Sequence, residues 1–376
     1  MEKIKGAEII SSFSRNVIHK EIMAPVLGYV GNISKQEIFN NPELKKYSGL
    51  KVGKTGIEKD LDSILRGDIG FRIQERDSYG KLVRNISIEP PKKGKNLRLS
   101  IDLELQKKLF YDFKGRKGAL VAIEPKTGLI RALISSPTYD PNLLNTINDY
   151  DEVRNLFSDQ DSPLFNRALS GQYPPASTLK PFVGMAALEA KTISWEKEIL
   201  DSGEYLVEGD ERPYRGWKEG GHGKMDLHSA IRESCNVFFY NVGIEVGAED
   251  LARVARKFGL GKVTGIDLLN EKEGLVPNDA WKQSVLREPW YKGETPPLSI
   301  GQGYLNVTPI QVVHMINILV NQGMSVPPKL YAGQPNTQPT QLPLNQEFLK
   351  RIGDGMVAVV NETGGTASSV RNEDFI

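Results

Sequence analysis

Apolar side chains recur with a helical period of three to four residues in several stretches of the chain. These stretches are residues 178–190, 227–240 and 250–258. A fourth helix is predicted to begin at Thr308, a good N-cap residue, because Pro309 suits the first helical position and Gln311 completes a capping box. Gly323 is placed to end this helix.

Apolar runs at residues 118–123 and 129–134 flank a short turn, Glu124-Pro125-Lys126-Thr127-Gly128, and predict a β-hairpin with glycine at the turn exit. Residues 97–101 alternate like a short strand, and Asp102 is a suitable cap for a helix after it. A hairpin followed by several helices favours an α+β fold, with helices packed on an antiparallel sheet.

Prolines and lysines interrupt the pattern at residues 90–95, which indicates a domain boundary. We therefore predict one domain at residues 1–96 and a larger one at 97–376. A hydrophobic fraction of 39% suits a packed core, and a net charge of +1 argues against a nucleic-acid partner. No apolar run is long enough to span a bilayer, so any membrane anchor would be a segment absent from this sequence.

Ser177 and Lys180 form the strongest candidate for chemistry. Positions i and i+3 share a helix face, so Lys180 is expected beside the Ser177 hydroxyl. A lysine whose pKa is lowered by burial is able to take the proton of a nucleophilic serine. Ser-x-x-Lys occurs four times here, and a random copy is most often a solvated helix face. The Ser177 copy alone has a Pro-Pro entry and an apolar helix after it.

Ser234 and Asn236 form a second candidate, in which Ser234 relays protons and Asn236 holds the lysine and a substrate amide. A polar turn between two helices is an equally good interpretation of these residues when they are considered alone. Ser-x-x-Lys, Ser-x-Asn and Lys-Thr-Gly together form a known catalytic set. Both Lys-Thr-Gly copies, at residues 54–56 and 126–128, precede Ser177, and we interpret them as decoys.

Taken together, the chain resembles the penicillin-binding protein 2 family, the class B transpeptidases of the rod-elongation machinery. The residues that carry the resemblance include the Ser177 and Ser234 motifs and the segments 27–31, 52–59, 100–106, 136–142, 264–268, 300–303 and 364–367. The resemblance implies the serine penicillin-recognising transpeptidase fold, with a partial N-terminal pedestal domain at residues 1–96.

The resemblance also implies function. Ser177 would attack a D-Ala-D-Ala peptidoglycan stem and expel D-alanine, and a neighbouring stem amine would resolve the acyl-enzyme. β-Lactams would stall the enzyme at the acyl stage. The implied partners are elongation-complex proteins, a glycosyltransferase and rod-shape scaffold proteins, bound through the pedestal. The implied location is the bacterial inner membrane, with the catalytic domain on the periplasmic side.

The sequence departs from the family pattern at both ends. The family's transmembrane helix and early pedestal segment do not precede residue 1, and no Lys-Thr/Ser-Gly follows residues 364–367. That third motif lies on a strand that supplies one oxyanion N–H in the family, and loss of such a donor costs about 10²–10³ in rate. We therefore expect this polypeptide alone to be inactive or poorly active.

Some relatives carry zinc near the second motif, and Asp201, His222 and Cys235 fall where three ligands are expected. Their residue types suit zinc. Gly216 stands where a further carboxylate would be expected, and His222 also reads as a plain loop histidine. No cofactor is required for the predicted reaction.

Two other functions stay open. One is a β-lactam-hydrolysing or sensing relative of the same fold, which needs a base for a deacylating water that the sequence does not reveal. The other is a non-catalytic cell-wall scaffold module. The intact set of Ser177, Lys180, Ser234 and Asn236 argues against the scaffold, because a dead scaffold has no physical need for all four.

Overall fold

The N-terminal part of the chain combines short helices with two separate pairs of antiparallel strands. The computed structural model describes residues 15–145, 150–331 and 338–372. Up to residue 96 its elements are α1 (Lys20–Leu27), β1 (Val30–Asn32), α2 (Lys35–Asn40), a 3₁₀ helix (Pro42–Tyr47), β2 (Lys51–Gly53), α3 (Gly56–Asp60), α4 (Asp62–Arg66), β3 (Phe71–Arg76) and β4 (Leu82–Glu89). Strands β1 and β2 pair antiparallel, and so do β3 and β4.

The rest of the chain is mainly helical around one longer hairpin. Its first elements are α5 (Leu103–Asp112), β5 (Gly118–Ile123), β6 (Ile130–Ser136), α6 (Pro141–Asn145), α7 (Tyr150–Ser158), a 3₁₀ helix (Ala176–Leu179), α8 (Lys180–Ala190), β7 (Ile199–Asp201), β8 (Glu204–Tyr205), β9 (Tyr214–Arg215) and β10 (Gly223–Met225).

Further helices and one short pair of antiparallel strands complete the described chain. They are α9 (Leu227–Arg232), α10 (Asn236–Val246), α11 (Ala248–Lys257), α12 (Asp279–Leu286), a 3₁₀ helix (Lys292–Glu294), α13 (Thr295–Ser299), α14 (Pro309–Val320), β11 (Met324–Ser325), β12 (Thr340–Gln341), α15 (Gln346–Asn361) and a 3₁₀ helix (Ser368–Val370). None of the helices within the described residues has both the length and the apolar character needed to cross a membrane.

The predicted hairpin is confirmed as β5 and β6, which pair antiparallel from Gly118 opposite Ser136 onward. Gly128 takes φ +73° at the turn exit, a conformation that favours glycine. Asp102 caps α5, because its carboxylate accepts the backbone N–H groups of Glu104 and Leu105 at 3.1 Å. Helix α5 then packs on β6, which confirms the α+β arrangement.

The prediction of a strand at residues 97–101 is wrong, because only one residue of this segment forms a β-bridge to another part of the chain. Only Leu99 forms a β-bridge there, to Tyr331, and the N–H of Ser100 donates to the Leu330 carbonyl at 2.7 Å. The alternation of apolar residues is real, since Leu97 and Leu99 pack against the core cluster that contains β6. Leu97 and Leu99 are therefore partly buried against the core, although the segment that carries them is not a strand.

The structure confirms one of the predicted helices with its capping box and divides another into two helices. Helix α14 is confirmed with its complete capping box: the Thr308 hydroxyl accepts the Gln311 N–H, and the Gln311 side chain accepts the Thr308 N–H. The continuous helical period at residues 227–240 is instead divided into α9 and α10. Ser234 interrupts it with φ +51°.

The largest core cluster surrounds α8, on which every residue from Lys180 to Leu188 is buried. Phe182 of α8 meets Phe258 edge to face, with ring centroids 4.7 Å apart. A helix buried on all sides is a rigid support, because each of its side chains is fixed by neighbours. The first turn of this helix therefore holds its polar residues in place.

Candidate active site

Ser177 lies in the 3₁₀ turn that leads into α8, directly after Pro174 and Pro175. Its side chain is solvent-exposed, whereas the next turn enters the core. The turn is anchored from behind, since the N–H of Ala176 donates to the Gly301 carbonyl at 2.8 Å. An added Cβ on Gly301 would lie 2.2 Å from the Ala176 carbonyl oxygen, so only glycine permits this approach.

The amine of Lys180 lies inside the protein and binds both members of the second motif. Lys180 is 2% exposed. Its Nζ donates to the Ser234 carbonyl at 2.7 Å, the Ser234 hydroxyl at 2.9 Å and the Asn236 side-chain oxygen at 2.6 Å. Burial lowers the pKa of Lys180 to about 8 from an ordinary value near 10.5. A substantial fraction of the amine is therefore uncharged at mildly alkaline pH.

Ser234 and Asn236 owe their positions to the sharp turn between α9 and α10. The turn is closed by two backbone hydrogen bonds: the N–H of Ser234 donates to Ile231 at 3.1 Å, and that of Cys235 donates to Ala230 at 3.0 Å. The second candidate is therefore a turn between two helices that also points its polar groups at Lys180. Both interpretations of the Ser-x-Asn motif apply at once.

The structure thus brings together Lys180, Ser234 and Asn236. Among the described residues, the Ser177 hydroxyl makes no hydrogen bond, so its pairing with Lys180 stays a prediction. The decoy tripeptides lie elsewhere, one at the start of α3 and the other at the β5–β6 turn. Sequence reasoning assigned no positioning role to Gly301, whose signal is a positive φ and a close backbone contact that only coordinates reveal.

Asp201, His222 and Cys235 also come together, beside the second motif. Their potential ligand atoms all lie within 4.8 Å of one another. His222 Nδ1 is 2.5 Å from Asp201 Oδ2, and the Cys235 thiol donates to the same oxygen at 3.2 Å. Pairing of β7 with β10 sets Asp201 close to the His222 loop, because Asp201 is directly opposite Gly223.

The electrostatics of this cluster suit a cation. Burial alone would raise the pKa of Asp201, but hydrogen bonds from His222, Gly203 and Cys235 outweigh it and lower that pKa. Burial raises the pKa of the Cys235 thiol to about 12, so without a cation the thiol keeps its proton. His222 Nε2 is buried and has no hydrogen-bond partner in the described structure. The donor set and this orphaned nitrogen fit zinc.

Comparison with known proteins agrees with this geometry. Residues 118–375 match the family model of the penicillin binding protein transpeptidase domain, and residues 1–99 match that of the penicillin-binding protein dimerisation domain. The chain belongs to the penicillin-binding protein transpeptidase family.

Within the family, the chain is similar to proteins named peptidoglycan D,D-transpeptidase MrdA. It is 37% identical to the one from Acinetobacter baumannii over 338 residues, which are 90% of this chain and 50% of that protein. It is 35% identical to the one from Escherichia coli K12 over 379 residues, which are 97% of this chain and 60% of that protein. The chain therefore spans only 50–60% of the length of these relatives.

Two solved structures show the same fold. Penicillin-binding protein PBP2 of Helicobacter pylori, in complex with MreC, superposes with a TM-score of 0.87 at 33% identity, covering 96% of this chain and 66% of that one. PBP2 of Pseudomonas aeruginosa, in complex with WCK 5153, superposes with a TM-score of 0.85 at 37% identity, covering 96% and 78%. Both confirm the predicted transpeptidase fold with an N-terminal pedestal.

Proposed function

We propose that this chain is the catalytic part of a peptidoglycan D,D-transpeptidase that acts through an acyl-enzyme on Ser177. The observation that carries the proposal is the buried amine of Lys180, held by Ser234 and Asn236 one turn after an exposed serine. The names of the similar proteins support the same activity.

The proposed reaction begins with transfer of the Ser177 hydroxyl proton to the uncharged amine of Lys180, directly or through the Ser234 hydroxyl 2.9 Å from it. The serine oxygen bonds to the carbonyl carbon of the penultimate D-alanine. The C–N bond then breaks, and the terminal D-alanine leaves with a proton from Lys180. An amine of a neighbouring stem attacks the ester, and Ser177 recovers its proton.

The direct test supplies the full natural polypeptide that contains this sequence with D-Ala-D-Ala stem peptides and an amine acceptor. We expect free D-alanine and a cross-linked peptide, and Ser177→Ala should abolish both. Ser194→Ala is the matched control, because Ser194 and Lys197 repeat the Ser-x-x-Lys spacing on the exposed surface. Equal product from the Ser177→Ala protein would contradict the proposal.

The same protein separates the two alternatives. A β-lactam-hydrolysing relative would turn over a chromogenic cephalosporin many times, whereas a transpeptidase would react once and stall. A scaffold module would support cell growth equally well with Ser177→Ala. No carboxylate among the described residues lies within ion-pair distance of Lys180.

We further propose that Asp201, His222 and Cys235 hold a zinc ion. When bound, zinc would supply a structural link between the paired strands β7 and β10 and the start of α10. These residues would position the second motif, because Cys235 lies between Ser234 and Asn236. Metal analysis after gentle purification should find about one zinc per chain, which Cys235→Ser should remove. A metal-free protein with full thermal stability would contradict this assignment.

The segment 1–96 is proposed as a pedestal that binds elongation-complex proteins, with 97–376 as the transpeptidase domain. Support comes from the H. pylori PBP2–MreC complex and from a similar chain in a peptidoglycan synthase complex. The β3–β4 hairpin offers a surface, since Phe71, Ile73, Ile86 and Ile88 are all more than half exposed. This arrangement implies a catalytic domain on the periplasmic side of the inner membrane.

Binding of a purified MreC-like scaffold protein tests the pedestal. Ile86→Glu together with Ile88→Glu should weaken binding at least tenfold while leaving β-lactam acylation unchanged. Leu200→Glu, at a 68% exposed apolar residue on β7, is the surface control. Undiminished binding by the hairpin variant would remove the hairpin from the interface.

A further inference from the structure

Trp217 is an exposed tryptophan that makes its polar contacts inside the candidate active site. It is 57% exposed, so burial of its ring does not explain its position. Its indole N–H lies 3.1 Å from the Ser234 carbonyl oxygen and 3.2 Å from that of Glu233. The single indole N–H thus donates a shared hydrogen bond to two successive carbonyl oxygens of the turn between α9 and α10.

The Ser234 carbonyl is shared between Trp217 and the amine of Lys180. A carbonyl oxygen has two lone pairs, and here Lys180 Nζ takes one at 2.7 Å while the indole takes the other. Ser234 has φ +51°, a conformation that an L residue keeps only when its surroundings hold it. The second hydrogen bond, from the Trp217 indole, restricts the orientation of the Ser234 carbonyl and hence the direction in which its oxygen faces Lys180.

The indole is itself held firmly. Its loop is tied down where the N–H of Gly216 donates to the Gly203 carbonyl at 2.7 Å. The ring meets the His222 imidazole edge to face, with centroids 5.2 Å apart, and the His222 side chain is 1% exposed. A ring that packs on a buried partner is well placed to position the turn between α9 and α10.

We infer that Trp217 is a positioning residue for acylation: its N–H holds the Ser234 carbonyl so that Lys180 is presented in a single orientation for proton transfer from Ser177. The inference rests on the proposed transpeptidase function. Trp217 makes no contact with the reacting atoms in it, and acts through Ser234 and Lys180.

Acylation by a fluorescent penicillin tests the inference, with the maximal rate and the apparent affinity measured separately in the full natural polypeptide. Trp217→Phe keeps an aromatic ring but removes the N–H. Replacement of Trp217 by benzothienylalanine removes the N–H and keeps the bicyclic shape. We expect both to lower the maximal rate about threefold to tenfold, with affinity and melting temperature unchanged.

Trp195→Phe, at a ring under the Arg351 guanidinium, is the control and should match wild type.

The outcomes are distinct. A benzothienylalanine protein that acylates at the wild-type rate overturns the inference, and so does one that loses affinity, rate and melting temperature together. If Trp217→Phe does not fold, the benzothienylalanine protein alone decides. A wild-type protein that forms no Ser177 adduct overturns the proposed function and this inference with it, whereas normal wild-type acylation with unaffected variants overturns only the inference.

Discussion

At the scale of single residues, the decisive feature is a buried amine whose hydrogen-bond partners are all uncharged oxygens. Lys180 donates to the Ser234 carbonyl, the Ser234 hydroxyl and the Asn236 amide oxygen. An ammonium in this position loses solvation without gaining a counter-ion, so its pKa is lowered and the neutral form becomes available near pH 8. This is the form that a proton acceptor requires.

The pH dependence of acylation follows from this lowered pKa. Lys180 carries a proton below about pH 8 and loses it above, so the base form is present above that pH. We expect the acylation rate to rise from pH 6 to pH 9 with a midpoint at about 8. Stopped-flow measurement with a fluorescent penicillin gives the profile.

Two substitutions sharpen this prediction. Lys180→Arg keeps a permanent charge and should lower the rate by about 10²-fold or more at every pH. Lys197→Arg changes the exposed copy of the motif and should leave the profile as it is. A midpoint near 10.5, the ordinary value for lysine, would show that burial does not tune this amine.

At the scale of elements, the sequence predicts those features whose causes are local. The capping box of α14 and the β5–β6 hairpin each depend on residues within a few positions of one another, and both are confirmed. The apolar pattern continues across Ser234 and gives no sign of the break there, but one of the two interpretations of the Ser-x-Asn motif, a polar turn between two helices, predicted it. The four catalytic candidates were identified from motif spacing, but Gly301 and Trp217 act through contacts between distant segments.

Gly301 provides the element-scale prediction, because it sets the turn that carries Ser177. Gly301→Ala places a Cβ 2.2 Å from a backbone oxygen at φ +73°. We expect a loss of at least about 2 kcal/mol in unfolding free energy and near-complete loss of acylation. Urea unfolding and penicillin labelling measure the two effects.

Gly303→Ala is the matched control for this substitution. Gly303 has φ +70°, but its added Cβ would meet nothing closer than 3.6 Å. It should show the conformational cost alone, about 1–2 kcal/mol, and should keep most of the acylation. Equal losses in the two variants would mean that the close approach to Ala176 has no special role.

At the scale of the whole molecule, residues before position 97 and residues of the β5–β6 hairpin share one core cluster. Val17 and Ile22 pack with Ile130 and Leu133 of β6. The fully buried Gln106 of α5 joins these parts: its amide donates to the carbonyls of Ile22 and Leu133, at 2.9 and 2.8 Å. Helix α1 and strand β6 are therefore joined through α5 by buried hydrogen bonds as well as by apolar packing.

Removal of this amide tests the connection. Gln106→Ala leaves two buried carbonyls and the Leu133 N–H without their partner, and should lower the unfolding free energy by about 2–4 kcal/mol. Gln36→Ala, on the exposed helix α2, should change it by less than about 0.5 kcal/mol. Chemical denaturation measures both, and a Gln106→Ala protein as stable as wild type would refute the connection.

The central claim is that Ser177 is the acylated nucleophile and that Lys180 activates it. Peptide mapping by mass spectrometry after brief penicillin exposure of the full natural polypeptide tests both parts. The account predicts one adduct, on the peptide that contains Ser177, which is lost in Ser177→Ala and strongly reduced in Lys180→Arg. An adduct on another serine, or an undiminished adduct in Lys180→Arg, would contradict it.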